Sequence, residues 1–128
     1  MPGVHVNNVR LNYTEQGSGP ETILFVHGLL FNHRMFDAQV DALKSSYRCI
    51  SVDLRGQGDS EITRDGYDMD SLTEDILAFI EVLDCSPCHF VGLSMGGFIG
   101  LRLAIRYPDL LTSLSLLDTT SDPEPEEN

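Results

Sequence analysis

Ser94 stands at the centre of Gly92-Leu93-Ser94-Met95-Gly96, a G-x-S-x-G pattern. A serine hydroxyl attacks a carbonyl only when it is placed and activated, and this spacing is one way of placing it. A chain that reverses within a few residues, from a strand into a helix, holds the serine in a strained backbone conformation. Side chains two before and two after the serine would collide there, so glycine fills both places. The hydroxyl then projects from the bend. The first N–H groups of the following helix, starting at Met95, point toward the same spot and can stabilise an oxyanion. The bland alternative is a glycine-rich turn without chemistry.

Two other loops carry residues of interest. His27-Gly28-Leu29-Leu30 follows an apolar run. An oxyanion hole needs two converging donors, and the Leu29 N–H would be the second, with Gly28 letting the backbone approach closely. His27, beside a glycine at the start of this turn, reads as a structural brace rather than a catalytic group. Asp53-Leu54-Arg55-Gly56-Gln57-Gly58-Asp59-Ser60 combines glycines, an arginine and aspartates. It reads as a tight loop cross-braced by hydrogen bonds.

The elements that must position these loops alternate between strand and helix. Val4 to Val6 and Val9 to Glu15 read as short strands. Thr22 to Val26 is continuously apolar, as a strand buried on both faces should be. Phe36, Val40 and Leu43 recur at helical spacing, Cys49 to Val52 is another strand, and 54–69 is a long polar loop. Ser71 and Glu74 have capping-box spacing ahead of a helical face formed by Leu72, Ile76, Phe79, Ile80 and Leu83. Cys88 to Val91 is a strand, Met95 to Arg106 a helix stopped near Tyr107-Pro108, and Leu111 to Leu117 the last strand. Strands separated by helices imply an α/β fold, a mostly parallel sheet with flanking helices. Ligands of such sheets bind beyond the C-terminal ends of the strands, just after Val26, Val52 and Val91.

Composition narrows the function. The chain has 128 residues, enough for one domain with a real core, and a net charge of -12. That charge disfavours nucleic acid and anionic membrane surfaces as partners. Residues 119–128 are acidic and proline-containing, and read as a solvated loop or tail. There is no signal-like N-terminus and no apolar run long enough to span a bilayer. The odd count of 3 cysteines implies no closed disulfide framework, and a reducing cytoplasmic setting is expected. Cys85-Ser86-Pro87-Cys88-His89 matches a haem-attachment pattern, but it runs through a proline into a buried strand and is read as coincidence. No zinc ligand set is spaced along the chain. Neither a metal nor an organic cofactor is required.

Three loops now stand in order after three strands: His27-Gly28, Asp53-x-Arg55-Gly56-x-Gly58-x-Ser60 and Gly92-x-Ser94-x-Gly96-Gly97. Together they resemble the α/β-hydrolase superfamily, over about Val4 to Asp118. His89 to Gly97 looks most like its enol-lactonase, esterase and C–C hydrolase branch. The resemblance implies an eight-stranded sheet, of which about six strands are expected here. It also implies a Ser–acid–His triad in that chain order, an acyl-enzyme on Ser94, and a small ester, lactone or thioester as substrate. Serine at 94 argues against the epoxide-hydrolase and dehalogenase branches, which place aspartate there.

The pattern then breaks. The family's acid and histidine usually follow the seventh and eighth strands. His5, His27, His33 and His89 are the only histidines, and none is expected to be the triad base. His33 reads as a surface residue at a helix start without an orienting partner. Asp118 is a weak candidate for the acid and is more simply a turn residue. Loss of a triad histidine costs on the order of a million-fold in kcat. As written, the chain is expected to be a very poor hydrolase, and its last strand to be a bare apolar edge. Pairing through that edge, with a second copy or a C-terminal piece, is the alternative to catalysis. A fragment cut from a longer enzyme without an independent role is a third possibility.

Overall fold

The computed structural model describes residues 2–117. Strands β1 (Gly3–Val6), β2 (Val9–Gln16), β3 (Thr22–Val26), β4 (Arg48–Val52), β5 (Cys88–Leu93) and β6 (Leu111–Leu117) form a six-stranded sheet in the order β1-β2-β4-β3-β5-β6. The β1–β2 and β2–β4 pairs are antiparallel, and β4, β3, β5 and β6 run parallel. The helices are α1 (Asp37–Leu43), α2 (Met69–Val82) and α3 (Met95–Arg106). The expected α/β class and the partial sheet are what the chain forms. Asp118 and the acidic stretch 119–128 lie outside the described residues.

The β1–β2 hairpin closes through Asn7 and Asn8, at φ 47° and 64°. A two-residue hairpin needs left-handed backbone at both positions, and asparagine tolerates it. β3 is buried at every position, and its side chains divide by the two-residue period of a strand. Leu24 and Val26 join Ile50, Val52 and Phe90 beneath Leu72, Ile76, Phe79 and Ile80 of α2 and Ile99 and Leu103 of α3. Ile23 and Phe25 face the other way, with Cys49, Phe36 and Val40 under α1. The sheet is thus covered on both faces, as parallel strands require.

One cap differs from the sequence expectation. Helix α2 begins earlier, at Met69, and its N-cap is Asp68, whose carboxylate accepts the Ser71 N–H at 3.1 Å. The Ser71 hydroxyl is itself spent on Asp68, at 2.7 Å. Both residues are good caps, and the ionised acceptor beside the positive helix end takes the place.

Among the described residues, no helix is long and apolar enough to cross a membrane.

Candidate active site

The parallel register sets three loops side by side. Val26 pairs with Val52 on one side and with Gly92 on the other. The loops after β3, β4 and β5 therefore leave the sheet at one level.

The bend after β5 is tight. Ser94 has φ 50° and ψ −109°, outside both strand and helix, and α3 starts at the next residue. Few non-glycine residues adopt a positive φ, and a strain of about 1–3 kcal/mol is typical. Both flanking glycines are sterically required. A Cβ on Gly92 would lie 2.6 Å from the Gly96 carbonyl carbon and oxygen, and one on Gly96 would run into the Val26 carbonyl oxygen. The serine backbone is tied on each side, its N–H to Leu117 O at 2.9 Å and its carbonyl to Phe98 N at 3.0 Å. Ser94 is half-buried.

The loop after β3 lies against this bend. A Cβ on Gly28 would be 3.2 Å from Leu93 O and 3.3 Å from Ser94 Cβ. The Gly28 carbonyl accepts from His27 Nδ1 at 2.7 Å and from Phe31 N at 3.1 Å. That oxygen belongs to the same trans peptide as the Leu29 N–H, so holding one end aims the other. Neither the Leu29 nor the Met95 N–H is engaged in a hydrogen bond among the described residues.

His27 is fully buried and both ring nitrogens are occupied. Nδ1 donates to Gly28 O, which leaves Nε2 to accept the Leu54 N–H at 2.9 Å. Burial, above all, pushes its pKa below the ordinary histidine value, against the opposing pull of Gly28 O and Asp53. The ring is a neutral strut between two loops.

The loop after β4 is organised by Asp53. Its carboxylate accepts from His33 N at 2.7 Å, His33 Nδ1 at 2.8 Å, Asn12 Nδ2 at 3.0 Å and Asp59 N at 3.0 Å. Burial alone would raise its pKa, but the donors from Asp59, His33 and Asn12 outweigh it and hold Asp53 below the usual carboxylate range. Arg55 points away, forking onto Asp75 of α2 at 2.8 and 2.9 Å.

His33 corrects the sequence expectation. It is 4% exposed rather than superficial, and Asp53 is the orienting partner it lacked. The partner lies 20 residues away, in the loop after β4, beyond any local signal. Asn12 and Gln57, which also hold these loops, went unremarked for the same reason. His5 sits on β1, separated from β5 by β2, β4 and β3. His89 enters β5 near its start and bonds Ser113 and Glu21. Asp118 lies outside the described residues. Among the described residues no cluster of histidine, cysteine, aspartate and glutamate is set to hold a metal ion.

Comparison with known proteins follows the same lines. Residues 21–128 match the family model of the alpha/beta hydrolase fold. The 3-oxoadipate enol-lactonase 1 of Acinetobacter baylyi is 40% identical over 109 residues, 83% of this chain and 41% of the lactonase. A thermophilic esterase from Thermogutta terrifontis superposes with a TM-score of 0.85 at 32% identity, over 93% of this chain and 44% of the esterase. The epoxide hydrolase VrEH1 from Vigna radiata superposes with a TM-score of 0.91 at 28% identity, over 99% of this chain and 42% of the hydrolase. The chain thus spans less than half the length of these relatives. The ordered loops, the sheet that carries them and the matched family agree: this chain belongs to the alpha/beta hydrolase fold family.

Proposed function

We propose that Ser94 is the nucleophile of a hydrolase acting on a small ester, lactone or thioester. The observation that carries this is the strained backbone of Ser94, with φ 50°, set against Gly28 of the loop after β3. Strain of this kind persists only where the surroundings enforce it, and it gathers at working sites.

In the first half-reaction the Ser94 Oγ bonds to the substrate carbonyl carbon while its proton passes to a base. The carbonyl oxygen takes up the negative charge and is met by the Leu29 and Met95 N–H groups. Collapse expels the alcohol or thiol, which regains the proton, and leaves an acyl group on Ser94. Water then repeats the sequence and releases the acid.

The base is a histidine from outside the 128 residues. His27 has no free ring nitrogen, His33 is 4% exposed, and His5 on β1 and His89 at the start of β5 lie elsewhere on the sheet. The likeness to an enol-lactonase and an esterase supports the carboxylic substrate class. Cys49, Cys85 and Cys88 are free thiols, in keeping with a reducing cytoplasmic setting. The test is a slowly turned-over ester given to the native full-length protein, followed by peptide mass analysis. An acyl group on the peptide containing Ser94 is expected, and its attachment at any other residue would overturn the proposal.

A second reading, pairing through a sheet edge, rests on β6. Among the described residues its hydrogen-bonded neighbour in the sheet is β5, and it stands at the end of the strand order. Unpaired edges with apolar side chains recruit further strands. In this reading the 128-residue chain associates with a second copy or with a C-terminal segment.

A further inference from the structure

We propose that Gln57 is a positioning residue for the oxyanion loop, fixing the peptide that follows Leu29. The proposal rests on Leu29 supplying one of the two donors that face Ser94.

Residues 28–31 form a turn closed by the Phe31 N–H on Gly28 O at 3.1 Å, with Leu30 at φ 69°. A left-handed third residue is the signature of a type II turn and is normally glycine. Leucine there costs about 1 kcal/mol or more and leaves the turn poised to relax. Relaxation would rotate the peptides on both sides of Leu29 and re-aim its N–H. The first of those peptides is held through the Gly28 carbonyl, by His27 and Phe31. The second is held from outside the turn. The Leu30 N–H donates to Gln57 Oε1 at 3.0 Å.

Gln57 is itself well anchored. Its N–H bonds Leu54 O at 3.0 Å and its carbonyl accepts Ser60 N at 3.0 Å. Its neighbours Gly56 and Gly58 turn the chain at φ 75° and 56°. A Cβ on Gly58 would run into the Asp53 carboxylate, so the turn is seated on the buried Asp53 cluster. Leu54, at the start of this turn, also bonds His27 Nε2 at 2.9 Å. The loop after β4 therefore grips the start of the loop after β3 through His27 and its tip through Gln57. The Leu30 side chain is 89% exposed and adds no packing of its own to resist relaxation.

The substitution Gln57→Met in the native full-length protein keeps the length of the side chain and removes the acceptor. One neutral hydrogen bond of average strength corresponds to about fivefold in an equilibrium. Exchange of the Leu30 amide hydrogen should quicken by about fivefold. Fluorophosphonate labelling of Ser94 should slow by up to about fivefold, according to how much of the turn is displaced, with cooperative unfolding retained. For an ester substrate kcat should fall while KM holds, because the displaced donor meets charge that exists only in the transition state. Gln57→Glu, which retains an acceptor, should return the Leu30 amide to its parental exchange rate. Parental labelling by Gln57→Met, with labelling abolished in Ser94→Ala, would overturn the role of Gln57 alone. Parental labelling of Ser94→Ala would overturn the nucleophile assignment instead.

Discussion

Gly28 and Ser94 touch: a Cβ on the glycine would sit 3.3 Å from the serine Cβ. They follow the adjacent parallel strands β3 and β5, in which Val26 and Gly92 are level. The parallel register of the sheet thus brings the loop after β3 to the bend at Ser94. Several consequences can be measured.

Gly96→Ala should unfold more readily. The added methyl meets the Val26 carbonyl oxygen, which is backbone and cannot step aside. Overpacking against a rigid group costs about 3 kcal/mol. Urea unfolding of the variant should give a lower midpoint at unchanged slope.

Asp53→Ala should be more damaging than removal of a surface acid. It strips the acceptor from His33, Asn12 and Asp59 together. Leaving such donors buried and unpaired costs about 4 kcal/mol. Loss of cooperative unfolding, or a midpoint shift of that size, is the expected result in a thermal or urea titration.

Stability should fall in two stages on acidification. The His27 pKa is lowered by burial, so the unfolded chain binds its proton first. The stability His27 contributes is complete above about pH 6.5 and is lost as pH drops below it. The Asp53 pKa is also lowered, so its contribution is complete above about pH 4 and is lost below it. Unfolding free energy measured against pH should show both limbs. His27→Gln should remove the upper limb, and Asp53→Asn the lower.

Light scattering of the 128-residue chain tests the edge of β6. Association that weakens when Leu116 or Leu117 is replaced by lysine is the expected outcome of edge pairing. A monomer at all concentrations would contradict it.

The sequence disclosed the fold where local signals agree. Ile23–Val26 is apolar throughout and lies in the sheet centre, and Met95–Arg106 runs between a glycine bend and Tyr107-Pro108. It disclosed the tight bend at Ser94 through the spacing of its glycines, although only Gly92 is demanded by backbone four residues on, while Gly96 is demanded by the Val26 carbonyl of the neighbouring strand. It misplaced His33, whose burial depends on Asp53, and it passed over Gln57, whose partner Leu30 is 27 positions away. Side chains that brace one loop against another leave no periodicity to read. The cap of α2 was misassigned for a different reason: Asp68 and Ser71 are both competent, and only the geometry chooses.

The nucleophile assignment is tested most directly by fluorophosphonate labelling of the native full-length protein with the site of attachment mapped by mass spectrometry. A single adduct on Ser94, absent from Ser94→Ala and from protein unfolded in urea, is the expected result. An adduct that persists in Ser94→Ala, or none on the parent, would contradict it.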